Sequence, residues 1–345
     1  MRLWLVCHDA PAILCLSECQ SLEEEDSLLL SNDGTILTPR TSFTGPALAV
    51  DFPGLHLGVA EYDEGPTGCT VFYFPQMVSV AIDVRGGSPG VFGANRRADA
   101  ICLAGGSLYG LEAVVGVQAE LFARRAYSTA WNDIALVSGA IIMDYRTRDT
   151  AIYPDKALGR AALQAAKPGT FLLGPHGAGR AACVGKVMLD LWEHEPAGQG
   201  AAFRQAGLIK IAVFCVVNAV GAIIDRQGAV VRGNRDRVTG VRHSSLEGME
   251  RRLTATDVAA IPPGNTTLTV LVTNQKLEPW PLLQIARLVH SSMARAIQPF
   301  HGLTDGDVLF AATTNEVEDT ALDPMVLGTL ASELAWDAVL ASLVE

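Results

Sequence analysis

The chain has 345 residues, 49% hydrophobic and 18% charged, a mix that can bury a large core and excludes disorder over most of its length. With 26 basic against 37 acidic residues the net charge is −11 and no long Lys/Arg run occurs, so no nucleic-acid partner is expected. No apolar run reaches the ~18 residues of a membrane helix, and the first apolar stretch is broken by His8, Asp9 and Glu18, so neither a membrane partner nor a secretory leader is expected and a cytoplasmic location is.

Residues 1–47 read as a variable lead-in, with the acidic run Glu23-Glu24-Glu25-Asp26 as a solvated stretch ahead of the turn Ser31-Asn32-Asp33-Gly34. Residues 48–345 read as a single catalytic domain. The patterns at 55–60 and 70–74 predict strands around the turn Glu64-Gly65-Pro66-Thr67-Gly68, and 78–84 a further strand ended by Arg85-Gly86-Gly87. Apolar Ile101-Cys102-Leu103 precedes Gly105-Gly106-Ser107, after which helical spacing predicts helices over 108–124 and 158–166. Strands are expected at 209–217 and 221–225, on either side of Asn218, and a strand end and turn at 230–234. Pro262-Pro263-Gly264 is a break, and 266–273, rich in Thr, Val and Leu, predicts a strand. A helix over 281–297, a strand over 307–313 and a final amphipathic helix over 326–342 complete the chain. Strands and helices mix without strict βαβ alternation, which places the chain in the α/β class.

Cys7, Cys15, Cys19, Cys69, Cys102, Cys183 and Cys215 are odd in number and irregularly spaced, with no C-x-x-C, and read as free, buried thiols of a reducing compartment. The seven histidines are dispersed and none has a ligand-like spacing, so no metal is expected. Residues 179–186 superficially resemble a phosphate-binding loop, but five residues separate Gly179 from Gly185 and Val187 follows Lys186 where a hydroxyl is needed. Gly86-Gly87-Ser88-Pro89-Gly90 matches a nucleophile-elbow pattern, but no helical spacing follows, and it reads as a glycine-rich turn.

Gly264-Asn265-Thr266-Thr267 admits two readings: a plain strand start, or a self-cleavage junction between Asn265 and Thr266. In the second, the Thr266 hydroxyl attacks the Asn265 carbonyl, and water opens the resulting ester. A threonine hydroxyl needs a base. The freed α-amine, which titrates near ~7.7–8.0, would supply one on the same residue. Gly264 permits unusual dihedrals and the prolines stiffen the approach.

This junction, with Val272-Thr273-Asn274 after it, resembles that of nylon-oligomer (6-aminohexanoate-oligomer) endohydrolases, within the self-cleaving L-aminopeptidase/D-amidase/esterase and β-peptidyl aminopeptidase family. Asp51-Phe52-Pro53-Gly54, Gly105-Gly106-Ser107-Leu108-Tyr109-Gly110, Tyr153-Pro154-Asp155-Lys156 and Gly198-Gln199-Gly200 are similar to segments of the same family. So are His290-Ser291-Ser292-Met293, Gln298-Pro299-Phe300-His301 and Asp305-Gly306-Asp307. The resemblance runs from about residue 51 to the C-terminus.

The resemblance implies a four-layered α/β/β/α sandwich of the N-terminal-nucleophile type, autocleaved into fragments 1–265 and 266–345. It implies Thr266 as nucleophile, Lys186 beside it, Asn218 as oxyanion donor, and Asp305 and Asp307 as an acidic pair near the nucleophile. Relatives commonly carry a tyrosine at the position of Met143, and Tyr145, two residues on in an extended strand, would face the same side as a possible auxiliary. No cofactor is implied; the partners are a small amide or oligoamide substrate and further copies of the chain in a homotetramer. The activity implied is hydrolysis of internal amides of 6-aminohexanoate oligomers. An aminopeptidase, β-peptidyl aminopeptidase or D-amidase/esterase of the same family, an acyltransferase resembling ornithine acetyltransferase, and a non-enzymatic assembly protein are the alternatives.

Overall fold

The computed structural model describes residues 29–93, 95–254, 260–261, 263–318 and 322–344. The acidic run at 23–26 and Cys7, Cys15 and Cys19 lie outside the described residues. The framework is a nine-stranded sheet whose strands are, in chain order, β1 (His56–Tyr62), β2 (Thr67–Val84), β3 (Val91–Phe92), β4 (Arg97–Ala104), β5 (Val137–Ile141), β6 (Gln199–Ala206), β7 (Ile209–Asn218), β8 (Thr266–Gln275) and β9 (Val308–Val317). Across the sheet the order is β6-β7-β8-β9-β2-β4-β5-β3, with β1 also paired to β2. The helices are α1 (Leu111–Arg124), α2 (Lys156–Ala165), α3 (Ser245–Thr254), α4 (Pro279–Ser292) and α5 (Pro324–Ala341).

The long strand β2 joins two halves. Its residues 67–73 pair with β1, and its residues 79–84 pair with β9. The pairing to β4 shifts register between Tyr73 and Val78, around Pro75, which has no N–H to give a ladder. The strands expected separately at 70–74 and 78–84 are therefore one strand interrupted by a bulge. Two pairs, β4 with β5 and β8 with β9, run parallel, and each is closed by a crossover carrying a helix, α1 and α4 respectively.

Three buried cores separate four layers. α1 and α2 cover one half-sheet through Val114, Val117, Leu121, Leu158 and Leu163. Phe72, Phe171, Phe214, Val270 and Phe310 fill the space between the half-sheets, with the Phe72 and Phe214 rings 5.0 Å apart. Leu282, Ile285, Val289, Leu327 and Val339 of α4 and α5 cover the other half-sheet. The order helix, sheet, sheet, helix is the expected α/β/β/α sandwich. The period of two explains why central strands are apolar throughout. On β7, Ala212, Phe214 and Val216 face the middle core while Ile211, Val213, Cys215 and Val217 face the helices.

Some elements end elsewhere than the pattern suggests. The helix over 281–297 stops at Ser292, giving way to the turn Met293–Arg295 and the short strand Ile297–Gln298, whose backbone pairs with Ile223 and Ala222 instead of continuing the helix. β6 escapes sequence reading because it is rich in Gly and Ala. α5 passes so close that a Cβ on Gly200 would sit 2.0 Å from the Ala338 carbonyl oxygen. Residues of the lead-in also reach the body: Asn32 bonds the Tyr153 carbonyl, and Arg40 bridges to Glu61. Cys69, Cys102, Cys183 and Cys215 are buried free thiols. Among the described residues no helix is long and apolar enough to cross a membrane.

Candidate active site

β8 begins at Thr266, directly opposite Asn218, the last residue of β7. Asn218 is thus a strand end rather than a turn residue. By the alternation that sends Leu268, Val270 and Val272 between the sheets, Thr266 points to the mouth of the middle layer. It is 4% exposed. Gly264 just before it has φ +86°, and a Cβ there would fall 1.9 Å from Met143 Sδ, so only glycine fits this approach.

The peptide between Asn265 and Thr266 is tightly addressed. The Asn265 carbonyl accepts the Gly306 N–H at 2.7 Å and the Thr266 hydroxyl at 2.5 Å, and the Asn265 N–H donates to Thr304 O at 3.3 Å. A carbonyl oxygen that accepts both a backbone N–H and a hydroxyl leaves its carbon electron-poor.

Lys186 is fully buried. Its ammonium donates to the Asn218 backbone carbonyl at 2.9 Å and to Asn218 Oδ1 at 3.0 Å. Burial pushes its pKa below the ordinary lysine value. The Cys183 N–H also donates to Asn218 Oδ1, at 3.1 Å, so the amide is oriented with its NH₂ outward. That NH₂ donates to Met143 O at 3.0 Å and Gly264 O at 3.4 Å, one residue before the Asn265 carbonyl.

The acidic pair sits on the loop that leads into β9. Asp305 accepts the Gly302 N–H at 2.8 Å and the Val220 N–H at 3.4 Å; Asp307 accepts the Thr267 N–H at 2.6 Å. Both are buried. Burial, then the charge of Asp307, raises Asp305 to about 6, against the pull of Lys186 and its N–H donors. The two carboxylates do not share a strand face, because β9 starts only at Val308.

Two features escaped the sequence. One is Gly306, whose N–H lies on the Asn265 carbonyl and whose absent Cβ leaves room for Thr266 Oγ1, which would be 2.8 Å away. The other is the loop Gly86-Gly87-Ser88. It is a turn, as read, but it cradles the acidic loop. Ser88 N–H donates to Asp305 O at 2.8 Å, and a Cβ on Gly86 would lie 2.3 Å from Asp305 O and from Asp307 N. The Asp305-Gly306-Asp307 turn just ahead of a strand was the available signal for the first; nothing local signals the second.

Tyr145 stands differently from its expected place. β5 ends at Ile141, and Tyr145 opens the 3-10 turn Tyr145–Thr147, with the Arg148 guanidinium 4.1 Å above its ring. It is therefore not on a strand face shared with Met143. Met143 itself touches the junction through its carbonyl and the Gly264 approach.

Residues 48–345 match the family model described as Peptidase family S58. The chain belongs to peptidase family S58. Two relatives named 6-aminohexanoate-oligomer endohydrolase, from Agromyces sp. and Paenarthrobacter ureafaciens, are each 46% identical over 319 residues, spanning 90% of this chain and 89% of theirs. An uncharacterized aminopeptidase of Mycobacterium leprae is 31% identical over 271 residues, 74% of this chain and 72% of its own. Among solved structures, a beta-aminopeptidase from Burkholderia sp. superposes with TM-score 0.61 at 16% identity, covering 87% of this chain and 88% of that one. The L-aminopeptidase D-Ala-esterase/amidase of Ochrobactrum anthropi, described as a variant of the Ntn hydrolase fold, superposes with TM-score 0.57 at 16% identity, covering 88% of each chain. The S58 member described here is an amide hydrolase with that fold.

Proposed function

We propose that this S58 hydrolase matures by cutting itself between Asn265 and Thr266 and then uses Thr266 as an N-terminal nucleophile on internal amides of 6-aminohexanoate oligomers. The observation that carries the reading is the Thr266 hydroxyl 2.5 Å from the Asn265 carbonyl oxygen, with Gly306 N–H on the same oxygen. In the first step Thr266 Oγ bonds to the Asn265 carbonyl carbon, the C–N bond to Thr266 breaks, and the hydroxyl proton passes to the Thr266 nitrogen. Water then opens the ester, leaving an Asn265 carboxylate, a free hydroxyl and a free α-amine. Gly306 N–H supports the negative oxygen of this step.

In turnover the α-amine takes the hydroxyl proton as Oγ attacks a substrate carbonyl. The acyl group moves to Oγ, the leaving amine takes the proton, and water releases the acid. Before cleavage, the segment ending at Asn265 occupies the place of a substrate acyl group. With the peptide cut, that segment is free to withdraw, and the Asn218 amide, now on Gly264 O, becomes a donor to the substrate oxyanion. Lys186 beside it holds the amide in register and, as a neighbouring cation, disfavours protonation of the amine. Asp305 and Asp307 anchor the strand end and the loop carrying Gly306.

The oligomer reading draws on the names of the two relatives at 46% identity. An S58 aminopeptidase is the second reading, favoured by the mycobacterial relatives' name. The experiment that tests the first part is intact mass with N-terminal sequencing: the purified protein gives a fragment starting Thr-Thr-Leu-Thr. A chain that stays whole on long incubation refutes self-cleavage. In this reading the enzyme assembles as a homotetramer, which sedimentation measures.

A further inference from the structure

Asp307 uses one carboxylate oxygen to accept Thr267 N–H and the other to face His301. The His301 backbone N–H and its Nδ1 each lie 3.0 Å from Asp307 Oδ2. Both donors reach one oxygen from a residue at φ +62°, a conformation an L side chain adopts at a cost of roughly 1 kcal/mol. The His301 ring meets His290 edge to face, with centroids 4.4 Å apart and planes at 82°. His290, on α4, is fully buried, and its Nδ1 lies 2.9 Å from Asp83 Oδ2 at the end of β2. Asp83 in turn pairs with Arg85 at 2.6 Å and, at 4.0 Å, with Arg287 at the surface. The Asp307 carboxylate is thus held from β8 by Thr267 and from the loop by His301, behind which the Asp83–His290 pair packs.

The groups facing this line are few. His301 meets Asp307 and His290; His290 meets Asp83 and His301; Asp305 lies beyond Asp307; Arg85 and Arg287 close the Asp83 end. Burial holds His290 below the ordinary histidine value, so it stays neutral and packs against His301 without repelling it. Among the described residues, neither ring's Nε2 has a hydrogen-bond partner. A buried nitrogen without a partner is costly, and a residue serving only to fill space here would be apolar. What each ring does satisfy is its Nδ1, and in both cases on a carboxylate.

We propose that His301 is a positioning residue for Asp307, and through it for the Thr266–Thr267 strand end, with the Asp83–His290 pair holding the His301 ring in that register. The inference rests on Thr266 being the nucleophile. With Asp307 aimed by His301 Nδ1–H, its other oxygen fixes Thr267 N–H, and so the direction in which the Thr266 hydroxyl leaves the backbone.

The test compares H301A with H301N in the full-length protein. Asparagine tolerates positive φ and places an amide N–H near the imidazole Nδ1 position. H301A is expected to slow self-cleavage and to lower kcat of matured enzyme about ten- to hundredfold, the worth of a charge-assisted hydrogen bond, with KM little changed. H301N is expected to restore most of both rates. Imidazole ¹⁵N NMR of the wild-type protein, which needs no variant to fold, should show His301 protonated at Nδ1 and bare at Nε2. Wild-type rates in H301A, a folded H301N as slow as H301A, or an unprotonated Nδ1 each overturn the proposal. A wild-type chain that never cleaves overturns instead the reading of Thr266, and the NMR result then still decides the geometry at Asp307.

Discussion

Gly306→Ala adds one methyl at the point where the acidic loop meets Thr266. The new carbon would stand 2.8 Å from Thr266 Oγ1 and 2.8 Å from the Ser88 carbonyl oxygen. Against an optimum near ~3.5 Å the shortfall is roughly 0.7 Å on each side. Ser88 cannot retreat alone, because its N–H is tied to Asp305 O at 2.8 Å, on the loop that carries Gly306. The loop and Thr266 therefore move apart. The Gly306 N–H bond to the Asn265 carbonyl, 2.7 Å in the wild type, opens past the ~3.2 Å limit of a good N–H···O contact. Two effects follow. Overpacking costs about 1–3 kcal/mol of stability. Losing a backbone donor to a developing oxyanion slows the step by roughly 10²–10³. The assay is a time course of self-cleavage on a denaturing gel, quantified by intact mass, alongside thermal melting to separate the two effects. A folded Gly306→Ala protein that cleaves itself at the wild-type rate refutes the assignment of Gly306 N–H as the donor.

Thr266→Ala should leave one full-length chain with an unchanged fold, measured by denaturing gel and circular dichroism; cleavage in that variant removes Thr266 from the chemistry. Asn218→Ala should lower kcat of matured enzyme by roughly 10²–10³ if its amide donates to the substrate oxyanion, and steady-state kinetics on a soluble oligomer measures it. Asp305, raised to about 6 by burial, predicts a pH signature of known sign: its contribution to stability is present below the ordinary value of 3.8 and is lost as pH rises through about 6. The rate of self-cleavage should change with an apparent pKa near 6 as the Asp305 charge appears beside Lys186, and Asp305→Asn should abolish that inflection; a pH profile that keeps it points to another group. Cyclic 6-aminohexanoate oligomers have no free end, so their ring opening, followed by mass spectrometry, separates an endohydrolase from an aminopeptidase. Intact rings together with hydrolysed aminoacyl amides would favour the latter.

Local chemistry decided much of this protein before any fold was known. Gly264-Asn265-Thr266-Thr267 is a short signal whose meaning lies in residue types: a glycine for the φ +86° approach and a hydroxyl next to a carbonyl. Strong periods placed α1, α2, α5, β7 and β8 within a few residues, because apolar spacing along one segment survives whatever packs against it. Where the pattern failed, packing between distant segments was responsible. β6 needs Gly200 because α5 presses on it there, and the break at Ser292 goes with the pairing of Ile297–Gln298 to the distant Ala222 and Ile223. Lys186 alone reads as a surface lysine; only the fold buries it against Asn218, 32 residues away. Tyr145 looks like a strand neighbour of Met143 until β5 is seen to stop at Ile141. The Gly306 donor, the Gly86–Ser88 cradle and the His301–His290–Asp83 line join segments separated by up to about two hundred residues, as His290 and Asp83 are by 207. Such contacts have no local period and no fixed spacing, so they come into being only when the two half-sheets close on a shared strand.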